Sequence, residues 1–249
     1  MATIKYQPDK GSLLYKFNIK KELVPLDPKL HKNGNWDNWA DETKLMKFDV
    51  VLTNPPFGEN RKFEPKNESD KSLAECYELW GEARVGNWID PGLLFLENAY
   101  HILGTHGRLG IVLSNSLASI DRWEAARKWL VRKMRVVGLF DLPPNIFAET
   151  GVNTTLIVAY KPTEQELSKF KDDGYEVFVK DIQRIGYEVR TLNRVRFFNP
   201  IYQIDEKTFQ IVINEQSEPQ LDEQFTDTIA KFREWANSQE ETMKKLFLK

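Results

Sequence analysis

The stretch Phe48-Asp49-Val50-Val51-Leu52-Thr53-Asn54-Pro55-Pro56-Phe57-Gly58 decides how this chain is read. Its first six residues form a short β-branched, apolar run of strand length. Two prolines then fix φ and remove backbone N–H donors, so the strand cannot extend past them. An apolar run of this kind marks a strand buried in a parallel sheet, and ligands bind beyond the C-terminal ends of such strands. The turn that follows can cradle an amino group attached to a planar ring. Such an amine is a poor nucleophile because the ring withdraws its lone pair. Acceptors on both N–H groups localise the pair and aim it at an electrophile. Asn54 offers a side-chain carbonyl and Pro55 a backbone carbonyl, the prolines hold both rigid, and Phe57 can stack on the ring. An acidic or amide residue followed by two prolines and an aromatic arises by chance at roughly 2 × 10⁻⁵ per position. The plain alternative is a turn that only stops a strand, and the run directly ahead of it argues for a site.

Working outward, the chain alternates strand and helix. Pro91 opens a helix predicted to run to Leu103, with Gly104 as its stop. A strand over Arg108–Leu113, a helix over Ile120–Lys133 and a strand over Arg135–Leu142 follow. The next strand, Thr154–Tyr160, comes without an intervening helix and is therefore expected to return antiparallel. The fold class is α/β, a partial Rossmann-like sheet made of later strands, the last of them antiparallel. Residues 1–47 are polar and interrupted by Val24-Pro25 and Asp27-Pro28, and read as an irregular N-terminal connection. Residues 48–162 hold the catalytic-motif region. The polar, charge-rich segment Gly58–Asn87 inside it is expected to be a mobile loop. Residues 163–249 read as a small α+β C-terminal extension. Its strands are placed at Tyr175–Ile182 and Val195–Ile204 in an appended sheet, and its terminal helix at Leu221–Phe247.

Composition narrows the class. The 249 residues are 41% hydrophobic and 29% charged, an ordinary balance for a chain with a core. No apolar run approaches the roughly 18 residues of a membrane span, and the N-terminus lacks an apolar signal region, so a cytoplasmic, non-membrane protein is expected. One cysteine, Cys76, forms no internal disulfide. His31, His101 and His106 lack ligand spacing, so no metal site is expected. The net charge of −2 hides a tail from Ile201 that carries 10 acidic and 6 basic residues. Two basic patches stand out: residues 119–135, with six basic against two acidic, and residues 180–196, with five against two. A solvated helix face and a charged hairpin are their plain readings. Phosphate contact, with Arg132 and Lys133 as candidates, is the functional one.

The Phe48–Gly58 stretch closely resembles the catalytic motif of amino methyltransferases that use S-adenosylmethionine. A second segment, Leu142-Pro143-Pro144-Asn145-Ile146-Phe147-Ala148-Glu149-Thr150-Gly151-Val152-Asn153-Thr154-Thr155, resembles the late motif of modification (methyltransferase) subunits of type I restriction-modification systems, within the N-6 adenine-specific DNA methylases. Gly107–Leu113 resembles the strand before that family's late helix. The resemblance covers residues 48–160 well and the tail to about Trp235 loosely. It implies DNA adenine-N6 methylation of a base flipped from the duplex. In the matching positions Asn54 and the Pro55 carbonyl would hold the amine, Asn54 and Pro56 would touch the cofactor, Phe57 would stack on the base, and Phe147 would wall its other side. A core anchor is the bland role for Phe147.

This family places a glycine-rich cofactor loop well upstream of the catalytic motif, and the 53 residues before Asn54 contain no Gly-x-Gly. The chain is accordingly expected to be the C-terminal half of a methyltransferase, its S-adenosylmethionine site incomplete. Its implied partners are DNA, the N-terminal half of the enzyme, and specificity and restriction subunits. A catalytic strand at an open sheet edge would either self-associate or be covered by residues 1–47. Two other functions remain open. An RNA or protein-glutamine methyltransferase would use the same turn, and a non-catalytic module would dock on DNA or on a subunit.

Overall fold

The computed structural model describes residues 15–17, 23–25, 47–56, 62–115, 121–144, 146–147, 151–192 and 195–248. Two short strands, β1 (Tyr15–Phe17) and β2 (Leu23–Pro25), pair antiparallel within the segment read as an irregular connection. The central sheet contains β3 (Phe48–Thr53), β4 (Leu103–Ser114), β5 (Arg135–Leu142), β6 (Thr154–Tyr160) and β7 (Phe178–Asp181). Their order is β3-β4-β6-β5-β7. β3 pairs parallel with β4, and β5 with β7, while β6 lies between β4 and β5 and runs against both. The expected antiparallel return of Thr154–Tyr160 is therefore present, at the residues the sequence indicated.

The inner strands β4, β5 and β6 are covered on both faces, as their continuous apolar runs required, whereas β3, read from sequence as a buried strand, is an edge strand with Val50 and Leu52 exposed. On one face lie α2 (Glu78–Ala83), α3 (Pro91–Ile102) and α4 (Glu124–Lys133), preceded by α1 (Glu68–Glu75) and by a 3₁₀ turn at Asp121–Trp123. Their buried Leu79, Leu96 and Trp129 pack with Leu109, Ile111 and Ile157 of the strands. On the other face, α6 (Phe225–Asn237) and α7 (Glu241–Phe247) close over the sheet. There Val137 and Tyr160 meet Ala236 and Met243, and Phe140 and Leu142 meet Ile182. The strand β5 serves both layers, with Val136 in the first cluster and Val137 and Phe140 in the second pair. Between β6 and β7 lies α5 (Glu164–Asp173), closed by a capping box of Thr163 and Glu166.

Several elements depart from the sequence expectation. The charge-rich segment expected to be a mobile loop contains α1 and α2. Each is too short to show a helical period, and α2 gains its stability from outside itself: the carboxylate of fully buried Glu97, on α3, accepts from the Glu78 and Leu79 N–H groups at 2.8 and 2.9 Å. The strand Phe178–Asp181 belongs to the central sheet, in register with Gly138–Asp141, instead of to an appended sheet. The separate sheet consists of β8 (Tyr187–Leu192) and β9 (Val195–Pro200). Gly104 lies within β4, because α3 passes into the strand at Leu103 without a connecting turn. The terminal helix is two helices. It breaks at Ser238–Glu240, where Glu240 turns inward to a buried arginine.

Candidate active site

The parallel strands bring their C-terminal ends to one edge, and Asn54-Pro55-Pro56 stands there. Thr53 is level with Ile111, Ser114 with Thr154, and Leu142 with Thr154. Pro55 is buried and anchors the turn, whereas Asn54 and Pro56 are exposed. Phe57 lies outside the described residues. The strand that carries the turn lies at one edge of the sheet among the described residues, with β7 at the other. Its Val51 is buried, but Val50 is 43% and Leu52 79% exposed, an apolar flank of the kind that seeks cover.

Next to this turn the edge is polar and tied together. The Asn115 N–H donates to the Asn153 carbonyl at 2.9 Å, and the Thr155 hydroxyl donates to the Asp141 carboxylate at 2.6 Å. Thr154 is fully buried, and its hydroxyl has no hydrogen-bond partner among the described residues. A buried hydroxyl left so costs free energy until water or a ligand pairs with it. An apolar cleft of about 170 Å³ opens under α4 near the same edge, with Leu113, Leu130, Leu139 and Ile157 among its walls and Ser114 and Thr155 at its polar limit.

The residues named from sequence separate into two groups. Phe147 follows β5 at the edge that carries Asn54. It is half-buried and packs with Phe140, Leu142 and Ile182, so it also serves as a core anchor. Arg132 and Lys133 are not brought to this edge. They end α4, immediately before β5 begins, at the opposite side of the sheet. There Arg132 pairs with Glu82 at 2.7 Å and Lys133 with Glu78 at 2.8 Å. Burial opposes ionisation of Glu78, yet the Lys133 ammonium and the Trp129 indole N–H outweigh it and hold the carboxyl below its ordinary value. These two cations therefore join α4 to α2, with local carboxylates as their partners.

The same far side holds a cluster of ionic and polar contacts. Arg135, fully buried at the start of β5, meets Glu240 at 3.1 Å, donates to the Glu176 carbonyl at 2.9 Å, and lies 4.1 Å from the ring centre of Tyr175. The Tyr160 hydroxyl donates to Glu240 at 3.2 Å. Nearby, Glu166 accepts from Thr242 at 2.8 Å and lies 2.8 Å from His106 Nε2. Burial raises the cost of charging Glu166, but hydrogen bonds from the Thr163 N–H, His106, Thr242 and the Thr163 hydroxyl prevail and draw its carboxyl down to about 2. This cluster clamps α5 and α7 to the sheet and takes no part in the Asn54 edge. His101 is likewise engaged, 3.4 Å from buried Glu97. Two features of the site edge were missing from the sequence expectation or only partly placed by it. The Asp141–Thr155 contact had no local signal because its partners sit on separate strands. The hairpin β8–β9 answers to the charged hairpin read for residues 180–196, but its first strand, Tyr187–Leu192, was not placed, because the connection lacks the Asn-Gly turn that marks a hairpin most clearly.

Comparison with known proteins places this edge in context. The chain is 27% identical over 137 residues to the type I restriction enzyme MpnII methylase subunit of Mycoplasma pneumoniae, a match that covers 54% of this chain and 24% of that protein. It is 33% identical over 96 residues to the type II methyltransferase M.VspI of Vibrio sp. strain 343, covering 39% of this chain and 21% of that one. The chain thus spans about a quarter of the length of these curated relatives. Among solved structures, the type I restriction-modification system methyltransferase subunit from Streptococcus thermophilus aligns over 64% of this chain and 38% of its own, with 18% identity and a TM-score of 0.39. The N-6 DNA Methylase family model matches residues 24–240, which include the Asn54 turn, the whole central sheet and the helices on its faces up to α6. The chain belongs to the N-6 DNA methylase family.

Proposed function

We propose that this chain is the C-terminal part of the modification subunit of a type I restriction-modification system and contributes the base-handling side of a DNA adenine-N6 methyltransferase. The observation that carries this reading is the rigid Asn54-Pro55-Pro56 turn at the C-terminal end of a parallel strand, in a chain that belongs to the N-6 DNA methylase family. S-adenosylmethionine supplies a methyl group on a sulfonium sulfur, and the protein's task is to present the amine to it. The Asn54 side-chain carbonyl and the Pro55 carbonyl each accept one N–H of the adenine amine. That rehybridises the nitrogen and aims its lone pair, an interaction stronger in the transition state than in the ground state. Phe57 stacks on the extruded base, and Phe147 bounds the pocket. Exposed Asn54 and Pro56 fit one rim of the cofactor site, on the open flank of β3. A glycine-rich half supplied upstream would complete it. DNA, a specificity subunit and a restriction subunit are the partners of that assembly, whose place is the cytoplasm. Among the described residues no helix is long and apolar enough to cross a membrane.

The test is Asn54→Ala in an assembly that contains this chain, the upstream methyltransferase half and a specificity subunit. Single-turnover transfer of labelled methyl to duplex adenine should fall by about 100-fold, with DNA affinity unchanged. Near-normal transfer by the variant would mean that the turn is only structural.

A further inference from the structure

The chain leaves the central sheet on the same side as Asn54. The Ile182 N–H donates to the Asp141 carbonyl at 2.9 Å at the end of β7, and β8 begins five residues later. The hairpin β8–β9 is therefore rooted at the candidate active-site edge. The Tyr187 hydroxyl fastens it there by donating to the Ile146 carbonyl at 2.9 Å, one residue before Phe147. Beyond this attachment the hairpin forms a sheet of its own, in register from Tyr187 opposite Pro200 to Leu192 opposite Val195.

Two properties of this ribbon are not explained by folding. Phe197 and Phe198 are successive residues on opposite faces, and they are 46% and 54% exposed. A lone two-stranded ribbon is at best marginally stable in water, so aromatics left open on both of its faces mark a contact surface. The second property is charge. Residues 184–200 carry four arginines against one acidic residue, whereas residues 201–224 carry six acidic residues against one lysine. Arg190 stands directly across from Phe197, and Arg196 is placed across from Thr191. Arg184, at the root of the ribbon, pairs with Asp222 of the acidic segment at 3.4 Å, and the Arg190–Glu188 pair at 2.6 Å is exposed on both sides and exchanges readily with water or phosphate. Positive charge interleaved with aromatic surface complements a polyanion that also offers flat apolar groups. The adjoining acidic segment would repel the same polyanion and so limits the contact to the hairpin.

We infer that the β8–β9 hairpin is a duplex-DNA arm of this site, with Arg190 and the remaining positive charge of the ribbon meeting backbone phosphates and Phe197 and Phe198 against the sugar and base surface beside the target adenine. The inference rests on the reading of the site as a DNA methyltransferase and adds the element that positions its substrate. A two-stranded ribbon has the width that the major groove admits. Tyr187 links the arm to the loop that carries Phe147, so that phosphate contacts on the arm set the distance of the duplex from the pocket.

The full chain is titrated with a fluorescein-labelled, adenine-containing duplex and followed by anisotropy across a salt series. The double variant Arg190→Ser/Arg196→Ser is compared with Lys231→Ser/Lys245→Ser, which removes the same charge from α6 and α7. The hairpin variant should bind about tenfold more weakly at about 0.1 M salt, and its slope of log affinity against log salt should be shallower by about two. The control pair should match the unaltered chain. Phe197→Ser should weaken binding with the slope retained. Equal thermal melting of all variants shows that each is folded. A hairpin variant that matches the control in affinity and slope overturns the inference, as does an unaltered chain with no duplex binding at low salt. A change in oligomeric state on Phe197→Ser, with DNA affinity intact, also overturns it and assigns the surface to a protein. The methyltransferase reading fails separately: if the complete assembly transfers no methyl to adenine while the hairpin effect persists, the arm stands and that reading does not.

Discussion

Removal of the Glu240 carboxylate should be among the most destabilising single changes available at this protein's periphery. The reason is the group it leaves behind. Arg135 is fully buried, and Glu240 meets it with Oε1 3.1 Å from Nε and Oε2 3.4 Å from Nη2. Glu240→Ala removes both contacts and the acceptor of the Tyr160 hydroxyl as well. The guanidinium cannot shed its charge, because arginine does not deprotonate in proteins. It keeps the carbonyls of Val136 and Glu176 and the face of Tyr175, which soften the loss. Breaking a buried pair from one side costs about 3–5 kcal/mol, and with these remaining partners about 3 kcal/mol is expected. For a domain of this size that lowers Tm by roughly 6–12 °C. Urea unfolding at neutral pH measures the loss. The double variant Arg135→Met/Glu240→Leu, which removes the charge together with its partner, should recover most of it. A cost below about 1 kcal/mol for Glu240→Ala, or no recovery in the double variant, would refute the assignment of α7 docking to this pair.

Two further changes test the rest of the framework. The Glu166 carboxyl lies at about 2, below the ordinary glutamate value. Its stabilising contribution is therefore complete above pH of about 4.5 and is lost as pH falls through about 2, a loss of about 3 kcal/mol. Acid titration of unfolding free energy should show this limb in the unaltered chain and not in Glu166→Gln; identical curves would remove Glu166 from the account. On the opposite face, Glu97→Gln leaves one of the two α2 N–H groups without its carboxylate oxygen, at about 1–3 kcal/mol. Amide exchange at Glu78 and Leu79 should quicken while exchange in β5 and β6 is unchanged, and protection equal to the unaltered chain would count against the cap.

The central strands and their order of appearance were legible because each carries its evidence locally. Phe48–Thr53, Arg135–Leu142 and Thr154–Tyr160 are apolar runs bounded by prolines or polar turns, and all three occur at the residues the sequence indicated. The antiparallel return of β6 was legible from the connection before it, which has no room for a crossover helix. Legibility failed where stability is borrowed. The helix α2 is six residues long and depends on the carboxylate of Glu97, nineteen positions after its first residue, so no period within it could announce it. The strand β7 is short and half-polar, and only its pairing with Gly138–Asp141 makes it part of the central sheet. The helix α5 has a local signal in the capping box of Thr163 and Glu166, but it carries no buried residue and hence no apolar stripe to mark its length.

What the sequence by itself determined is where β3 stops and which groups Asn54, Pro55 and Pro56 offer there. Those three residues define a rigid pair of acceptors through proline's fixed φ and missing N–H, whatever surrounds them. Which other residues share the site was decided by the tertiary structure. Arg132 and Lys133 look from sequence like a cationic patch for phosphate, but the direction of α4 carries them to the far side of the sheet, where Glu82 and Glu78 engage them. The hairpin arginines are more than a hundred residues from Asn54 and arrive at its edge because β7 runs parallel to β5 and ends on the same side. Sequence specifies the donors and acceptors each residue owns, and strand direction, a property of the assembled sheet, specifies which of them meet.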